Sequence, residues 1–232
     1  IYMIKLDRCD MPGIILQMDE LARANDYSKI IVKVPQDCGL AFEKAGYVEE
    51  ARVEGFFKDN VTGLFMGKFL DPARAVCPNP DELQKIVDVA NEKAASATEL
   101  PALPQDVEIV VAGPEQAQEL AELYDRVFDS YPFPVDDPEF ILQCMDEGVV
   151  FLGARRDGQW IGLASGDPDY DAGNAELTDL AVPPESRGLS LARHLLAALE
   201  REMHTRGIQT FYTIARADAF AVNVVFARQG YT

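Results

Sequence analysis

The residues whose types and spacing carry most chemistry lie between positions 175 and 192. Ala175-Glu176-Leu177-Thr178-Asp179-Leu180-Ala181-Val182 reads as a strand bearing two carboxylates, either of which could take a proton from a substrate held beside it. Strand alternation sends residues three apart to opposite faces, so Glu176 and Asp179 are expected to face apart unless a bulge intervenes. The run continues as Pro183-Pro184-Glu185-Ser186-Arg187-Gly188-Leu189-Ser190-Leu191-Ala192 and enters an amphipathic helix. Such a strand-loop-helix junction is an anion site, because the first helical turn leaves N–H groups without acceptors and carries the positive end of the helix dipole. A pyrophosphate fits it: Gly188 permits close backbone approach, Arg187 adds charge, and Ser190 offers a hydroxyl as well as an N–H.

Two further stretches could recognise a substrate. Asp129-Ser130-Tyr131-Pro132-Phe133-Pro134-Val135-Asp136-Asp137 combines stiff prolines with aromatic and acidic side chains, which suits a lid contacting substrate through Tyr131 and Phe133. The acidic turn Asp167-Pro168-Asp169-Tyr170-Asp171 could hold an ammonium through Asp169, or be a solvated turn closed by its own side chain.

Periodicity supplies the elements that must position these groups. Val107-Glu108-Ile109-Val110-Val111 is strand-like, Gly113-Pro114 starts a helix with apolar positions at Ala117, Leu120, Leu123 and Phe128, and a second helix covers 138–147. Strands at 149–155, 160–165 and 175–182 follow, the first two joined by the hairpin dipeptide Asp157-Gly158. Leu191, Leu195, Leu196, Leu199 and Met203 mark one face of a helix that stops at Gly207; a strand at 210–215 and a helix at 219–229 complete the series. The order β-α-α-β-β-β-α-β-α predicts a mixed α/β layer fold around an antiparallel meander.

Upstream, Pro72, Pro78 and Pro80 precede a short amphipathic helix (Leu83, Ile86, Val87, Ala90), followed by Ala94-Ala95-Ser96-Ala97-Thr98 and Pro101 and Pro104. We read 71–105 as a linker between modules at 1–70 and 106–232. The first module repeats the end of the second: a helix near Ile15, Met18, Leu21 and Ala22, a strand at 30–34, and a helix ending in Phe42-Glu43-Lys44-Ala45-Gly46-Tyr47, which matches the spacing from Phe226 to Gly230-Tyr231. In the first copy two strands follow, at 51–57 and 64–70, whereas the second stops at Thr232. The last two strands of the second copy are therefore expected to be missing from this chain or supplied by another.

The 232 residues carry 21 Lys plus Arg against 39 Asp plus Glu, a formal charge of -18. That field repels nucleic acid, and suits a small cationic partner only weakly, since solubility explains it as well. No apolar run approaches the roughly 18 residues of a membrane-spanning helix, and the opening strand-like stretch 1–6 is too short for a secretory core, so a cytoplasmic protein without a membrane partner is expected. Cys9, Cys38, Cys77 and Cys144 form no C-x-x-C pair; they read as buried reduced thiols and signal no metal site. His194 and His204, on one helix, read as surface residues.

The stretch 177–192 resembles the GNAT acetyltransferase superfamily, whose signature is Arg or Gln, two residues, Gly, one residue, then Gly or Ala, after a Val-x-Pro strand end. Arg187, Ala192 and Val182-Pro183-Pro184 match it, whereas Ser190 stands where the signature has Gly. The resemblance implies a GNAT fold with acetyl-coenzyme A held by Leu180, Ala181, Val182, Arg187, Gly188, Leu189, Ser190, Leu191 and Ala192, with Asn223 of the last helix touching it. It makes Glu176 the favoured base and gives Asp179 the place of an acidic residue kept by polyamine acetyltransferases. It implies a Tyr as acid on the last helix, where this chain has Phe226; Tyr212 and Tyr231 are the nearby substitutes.

More widely, Ile1-Tyr2-Met3-Ile4-Lys5-Leu6, Gly55-Phe56-Phe57, Phe65-Met66-Gly67-Lys68, Ser130-Tyr131-Pro132-Phe133-Pro134, Ala175-Glu176-Leu177-Thr178-Asp179 and Val224-Val225-Phe226 are similar to the β-lysine N6-acetyltransferases, which make an acetylated osmolyte. That family shares the Phe at 226. The resemblance implies acetyl transfer to a small diamino acid, with a degenerate half-GNAT module in front of the catalytic one. Another amine acceptor (a polyamine, amino acid or protein), a ligand-sensing module without turnover, and a homodimer stay open.

Overall fold

The computed structural model describes residues 1–3, 5–95 and 99–231. Ile4, Ser96-Ala97-Thr98 of the expected linker and the terminal Thr232 lie outside the described residues. Two compact units are present, Ile1–Pro80 and Asp81–Thr232.

The first unit comprises β1 (Tyr2–Met3), α1 (Gly13–Ala24), β2 (Lys29–Pro35), α2 (Gly39–Lys44), β3 (Val48–Phe57) and β4 (Val61–Phe69). Its sheet runs β1-β2-β4-β3, with β1 parallel to β2 and the other pairs antiparallel. Ile15, Met18 and Ala22 share one face of α1 because they are three and four residues apart, and that face closes over Ile30, Val32, Val34 and Met66. Strand β3 begins at Val48, before the expected 51, because its first residues are exposed along the sheet edge and lack the apolar alternation that marks a strand in sequence.

The second unit opens with α3 (Pro80–Ala95), 16 residues long where a short helix is expected. Asp81 and Glu82 in its first turn and Lys93 in its last complement the helix dipole, which extends it past the apolar positions. There follow β5 (Val107–Val111), α4 (Ala117–Val127), α5 (Pro138–Asp146), β6 (Val150–Arg156), β7 (Gln159–Asp169), β8 (Asn174–Ala181), α6 (Leu191–Thr205), β9 (Thr210–Tyr212) and α7 (Phe220–Gln229). The expected order is found, and the mixed α/β class with it. The five strands lie in chain order, antiparallel from β5 to β8, with β9 parallel to β8. Asp157 and Gly158 both have positive φ (51° and 78°), as the two-residue hairpin turn between β6 and β7 requires.

Each face of this sheet carries its own core. Val150, Leu152, Ala164, Ala175 and Leu177 pack under Leu191, Leu195, Leu196, Leu199 and Met203 of α6. Phe151, Trp160, Leu163 and Ala181 pack under Leu120, Leu123, Tyr124 and Ile141 of α4 and α5. Phe128, expected within α4, is its C-terminal cap instead.

The series β8-α6-β9-α7 repeats β1-α1-β2-α2: a parallel pair joined through a helix, then a second helix ended by a glycine of positive φ, Gly46 at 88° and Gly230 at 101°. Leu199 is fully buried under the second sheet. Leu199→Ala is expected to lower stability by about 3 kcal/mol through lost transfer energy and a residual cavity, read as a shift of the urea midpoint.

Candidate functional site

Strand β8 holds the site, and its pairing explains how. Ser165 of β7 pairs with Thr178 and Leu163 with Ala181, so β8 advances three residues where β7 advances two. The extra residue is a bulge at Asp179, whose φ is 50°; Asp tolerates the left-handed region better than most residues do. Upstream of the bulge, Ala175 and Leu177 face the α6 core, so Glu176 and Thr178 face α4 and α5. Downstream, Ala181 lies in the α4/α5 core, and Leu180 and Val182 pack on the α6 core. Asp179 sits at the inversion and turns to the same side as Thr178. Alternation therefore no longer separates the two carboxylates: Glu176 and Asp179 share the α4/α5 face.

Hydroxyl groups converge on Asp179. The Ser165 hydroxyl donates to Oδ2, and Thr178 Oγ1 lies 3.4 Å from Oδ1. Tyr131, from the loop between α4 and α5, places its hydroxyl 3.2 Å from Thr178 Oγ1 and contacts the Asp179 carboxylate. Burial raises the Asp179 pKa above the usual aspartate value, while the bonds from Ser165, Tyr131 and Thr178 pull the other way. Burial and the Asp179 charge together keep Tyr131 protonated. Tyr124 of α4 is fully buried, its hydroxyl has no hydrogen-bond partner, and it feels the Asp179 charge. Of these residues, Tyr124 and Tyr131 line a cleft of about 450 Å³ whose wall also carries Asp125, Asp129 and Asp136. Phe133 stands at its lip, stacked on Phe140 with centroids 6.5 Å apart.

The second half of the site is the strand-to-helix junction. Strand β9 pairs with β8 only over Asn174–Glu176 among the described residues, so beyond Glu176 the flank of β8 faces a gap. Gly188 has φ 86° and open space where a Cβ would stand, and Ser190, the N-cap of α6, has φ 57° with no side-chain capping bond. The N-terminus of a 15-residue helix is thereby left open to an anion, and Arg187, which donates to Val182 O at 3.3 Å, holds its charge at the loop base. These residues fit a pyrophosphate. Ser190 also shows why the signature prefers Gly there: the position is left-handed.

Other candidates fall elsewhere. Asn223 gives its amide protons to the carbonyls of Arg216 and Ala219, at 3.0 and 2.9 Å, which shapes the start of α7 and leaves its carbonyl oxygen for a ligand. Asp169 accepts from Ala172 N at 2.8 Å and pairs with Asn174 at the far end of β8, about 17 Å of strand from Asp179; it closes a turn and is not brought to the cleft. Phe226 is buried against the edge of Tyr231, and the Tyr231 hydroxyl donates to Glu200 at 3.0 Å. Cys9 and Cys77 are exposed and Cys38 and Cys144 half-buried, contrary to the expected burial, because a thiol is small enough to leave partly exposed at little cost. His204 is exposed, but His194 is half-buried and burial lowers its pKa. Tyr124 and Ser165 were not anticipated: one carries an ordinary helical core position and the other an ordinary strand position. Among the described residues no helix is long and apolar enough to cross a membrane.

Residues 118–231 match the family model described as "Acetyltransferase (GNAT) family". Over 231 residues the chain is 30% identical to the beta-lysine N(6)-acetyltransferase of Methanococcus maripaludis, covering 100% of this chain and 83% of that one. It is 31% identical over 214 residues to N-acetyltransferase YodP of Bacillus subtilis, covering 90% and 75%. Against the beta-lysine N(6)-acetyltransferase of Methanosarcina mazei it is 26% identical over 230 residues, covering 91% and 84%.

Two outcomes are expected. Ser190→Gly relieves about 1 kcal/mol of left-handed strain but loosens the unfolded chain by about 0.5 kcal/mol, so a small rise in melting temperature should follow. A carboxyl whose pKa is raised on folding binds its proton more readily in the folded state, so its contribution to stability declines as pH rises from the usual aspartate value through the folded one. Asp179→Asn should accordingly stabilise the protein at neutral pH, with the gain vanishing below the usual aspartate range in pH-resolved melting curves.

Proposed function

The chain belongs to the GNAT acetyltransferase family and is an acetyl-CoA dependent N-acetyltransferase acting on an amine; from that premise we propose that its acceptor is β-lysine, acetylated at N6, with Asp179 as the proton acceptor. The observation that carries the reading is the bulge of β8, which turns a partly buried carboxylate to the α4/α5 side and into contact with Tyr131, itself part of the wall of an acid-rimmed cleft, on a strand whose flank beyond Glu176 is open.

Acetyl-CoA supplies a thioester carbonyl for a neutral amine to attack. An alkylammonium near its ordinary pKa of about 10 is almost wholly protonated at neutral pH, so it must lose a proton on or before attack. The raised pKa of Asp179 brings that carboxyl closer to the operating pH than an exposed aspartate would be, which favours it as the base. The ammonium first gives one proton to solvent; as the N–C bond forms and the C–S bond breaks, the second N–H proton passes to Asp179, and the thiolate leaves toward the strand gap and takes its proton from water. Ser165 and Thr178 hold the carboxylate in one orientation, and Tyr131 covers it from the lid. Arg187, Gly188 and the N-terminus of α6 take the pyrophosphate, and residues 180–182 offer backbone to the pantetheine arm. We take residues 1–70 as a degenerate copy of the GNAT C-terminal half, on the strength of the repeated strand-helix order. The product would lose one positive charge and become a neutral zwitterion, as a compatible solute should be.

Release of free thiol from acetyl-CoA, measured with β-lysine, lysine, ornithine and spermidine, tests the acceptor. Turnover is expected with β-lysine far above the others; equal turnover with another amine would replace β-lysine, and acetyl-CoA binding without turnover would make the protein a sensor. Asp179→Asn should lower kcat about 10²-fold or more with little change in the KM for acetyl-CoA, and should remove the acid limb of the pH–rate profile. A loss of that limb in Glu176→Gln instead would move the base to Glu176.

A further inference from the structure

We propose that the Tyr131 hydroxyl is an exchangeable tether: in the free enzyme it holds the loop between α4 and α5 onto Asp179, and the acceptor nitrogen displaces it to reach the base. Tyr131 is then a positioning residue that acts through Asp179, an inference that rests on the amine-acetylation reading above.

The cleft and the base are separate, and Tyr131 touches both. Its side chain lines the cleft of about 450 Å³ whose wall carries the exposed acids Asp125, Asp129 and Asp136, whereas Asp179 is not part of that wall among the described residues. The Tyr131 hydroxyl contacts the Asp179 carboxylate and lies 3.2 Å from Thr178 Oγ1, so its hydrogen reaches the carboxylate directly or through Thr178. A cationic amine drawn to the acidic wall therefore meets Tyr131 before it meets the base.

The hydroxyls that serve Asp179 differ in what carries them. Ser165, which donates to Oδ2, stands on β7, and Thr178, 3.4 Å from Oδ1, stands on β8. Both strands pair with a neighbour on each side, so neither group can withdraw without breaking the sheet. Tyr131 can. Residues 129–132 make no backbone hydrogen bond among the described residues, and Pro132 and Pro134 have no N–H to give. A segment held by so few bonds opens at low cost. What remains to hold Tyr131 is its ring, stacked on Phe128 with centroids 4.5 Å apart, and Phe128 stacks in turn on Tyr124 at 5.7 Å. A phenylalanine at 131 would keep that stack and lose only the tether. The Tyr124 hydroxyl is buried and without a partner while the tether is closed, and a polar group entering behind Tyr131 would give it one.

The groups around Asp179 fix the sign of the effect. Tyr131, Tyr124 of α4 and Cys144 of α5, the thiol pushed up to about 11, are held protonated by burial. The carboxylates nearby are Glu176, on the same face of β8, and Asp167 and Glu147, whose charges reach Cys144; they act alike in the wild type and in a Tyr131 variant. Losing the tether removes a hydrogen bond that favours ionised Asp179, so its pKa should rise by about one unit.

Tyr131→Phe tests this with β-lysine and acetyl-CoA. The acid limb of kcat/KM, which reports the free enzyme, should move up by about one unit. The acid limb of kcat, which reports the complex in which the hydroxyl has already been displaced, should stay in place. Above both limbs the KM for β-lysine should fall severalfold, because no hydroxyl has to be displaced. Movement of both limbs would show that the tether persists in the complex, and a raised KM with both limbs unmoved would make Tyr131 an ordinary substrate contact; either result overturns the proposal. A readout without turnover runs beside it. The stability change caused by Asp179→Asn, followed against pH in melting curves, should be complete about one unit higher in the Tyr131→Phe background; an unmoved window overturns the tether whatever the kinetics. A moved window with neither kinetic limb moved would instead sink the assignment of Asp179 as the base. Thr178→Val, which removes the 3.2 Å partner of Tyr131 at equal volume, should move the same window in the same direction and carries the test should Tyr131→Phe fail to fold.

Discussion

One inserted residue in β8 governs the architecture of the second unit. Without the bulge at Asp179, the alternation that buries Ala175 and Leu177 beneath α6 would carry on to residues 179 and 181. A carboxylate would then be driven into an aliphatic core, at a cost of several kcal/mol unless it were neutralised. The inversion instead delivers Ala181 to the α4/α5 core and puts Leu180 and Val182 on the α6 side. It lets a single strand satisfy two cores and still present a polar face between them.

The same strand joins both halves of the site. It ends at Ala181, and ten residues later α6 begins with its N-terminus uncapped by any side chain. Gly188 and Ser190, both left-handed, fold the loop tightly enough to keep the helix end beside the strand end. The loop is anchored below by Arg187 on the Val182 carbonyl, and α6 is anchored by five buried apolar residues. An anion bound at the helix and a thioester laid along β8 would thus share one rigid frame, which is the pre-organisation that acyl transfer needs.

Much of this was legible in the sequence because it follows from periodicity and turn chemistry. Leu191, Leu195, Leu196, Leu199 and Met203 define α6 by spacing alone, and Asp157-Gly158 specifies its hairpin because both residues accept positive φ. The bulge was not legible. Residues 175–182 contain no glycine to mark it, and Asp179 adopts positive φ only because the two cores on either side demand opposite parities. Glu176 and Asp179 were identifiable as carboxylates on one strand, but their common face is a tertiary fact. Tyr124 was hidden for the reverse reason: its place on the apolar stripe of α4 is that of an ordinary core residue, and only the absence of a partner for its hydroxyl distinguishes it.

The features that weaken the fold are gathered where the chemistry is assigned. Asp179 is ionisable and largely buried, Tyr124 has an unsatisfied hydroxyl, and Ser190 holds a backbone conformation that favours glycine. Each is unfavourable in the protein alone, and each would be relieved by a ligand of complementary chemistry: an ammonium for the Asp179 carboxylate, a polar molecule for the hydroxyl, a pyrophosphate for the open helix end. Strain of this kind persists only when the surrounding packing fixes it, and the two hydrophobic cores that clamp β8 provide that packing. A protein stabilised further at these positions would therefore be expected to bind its substrates less well, since the binding energy available there is the same energy the empty fold lacks.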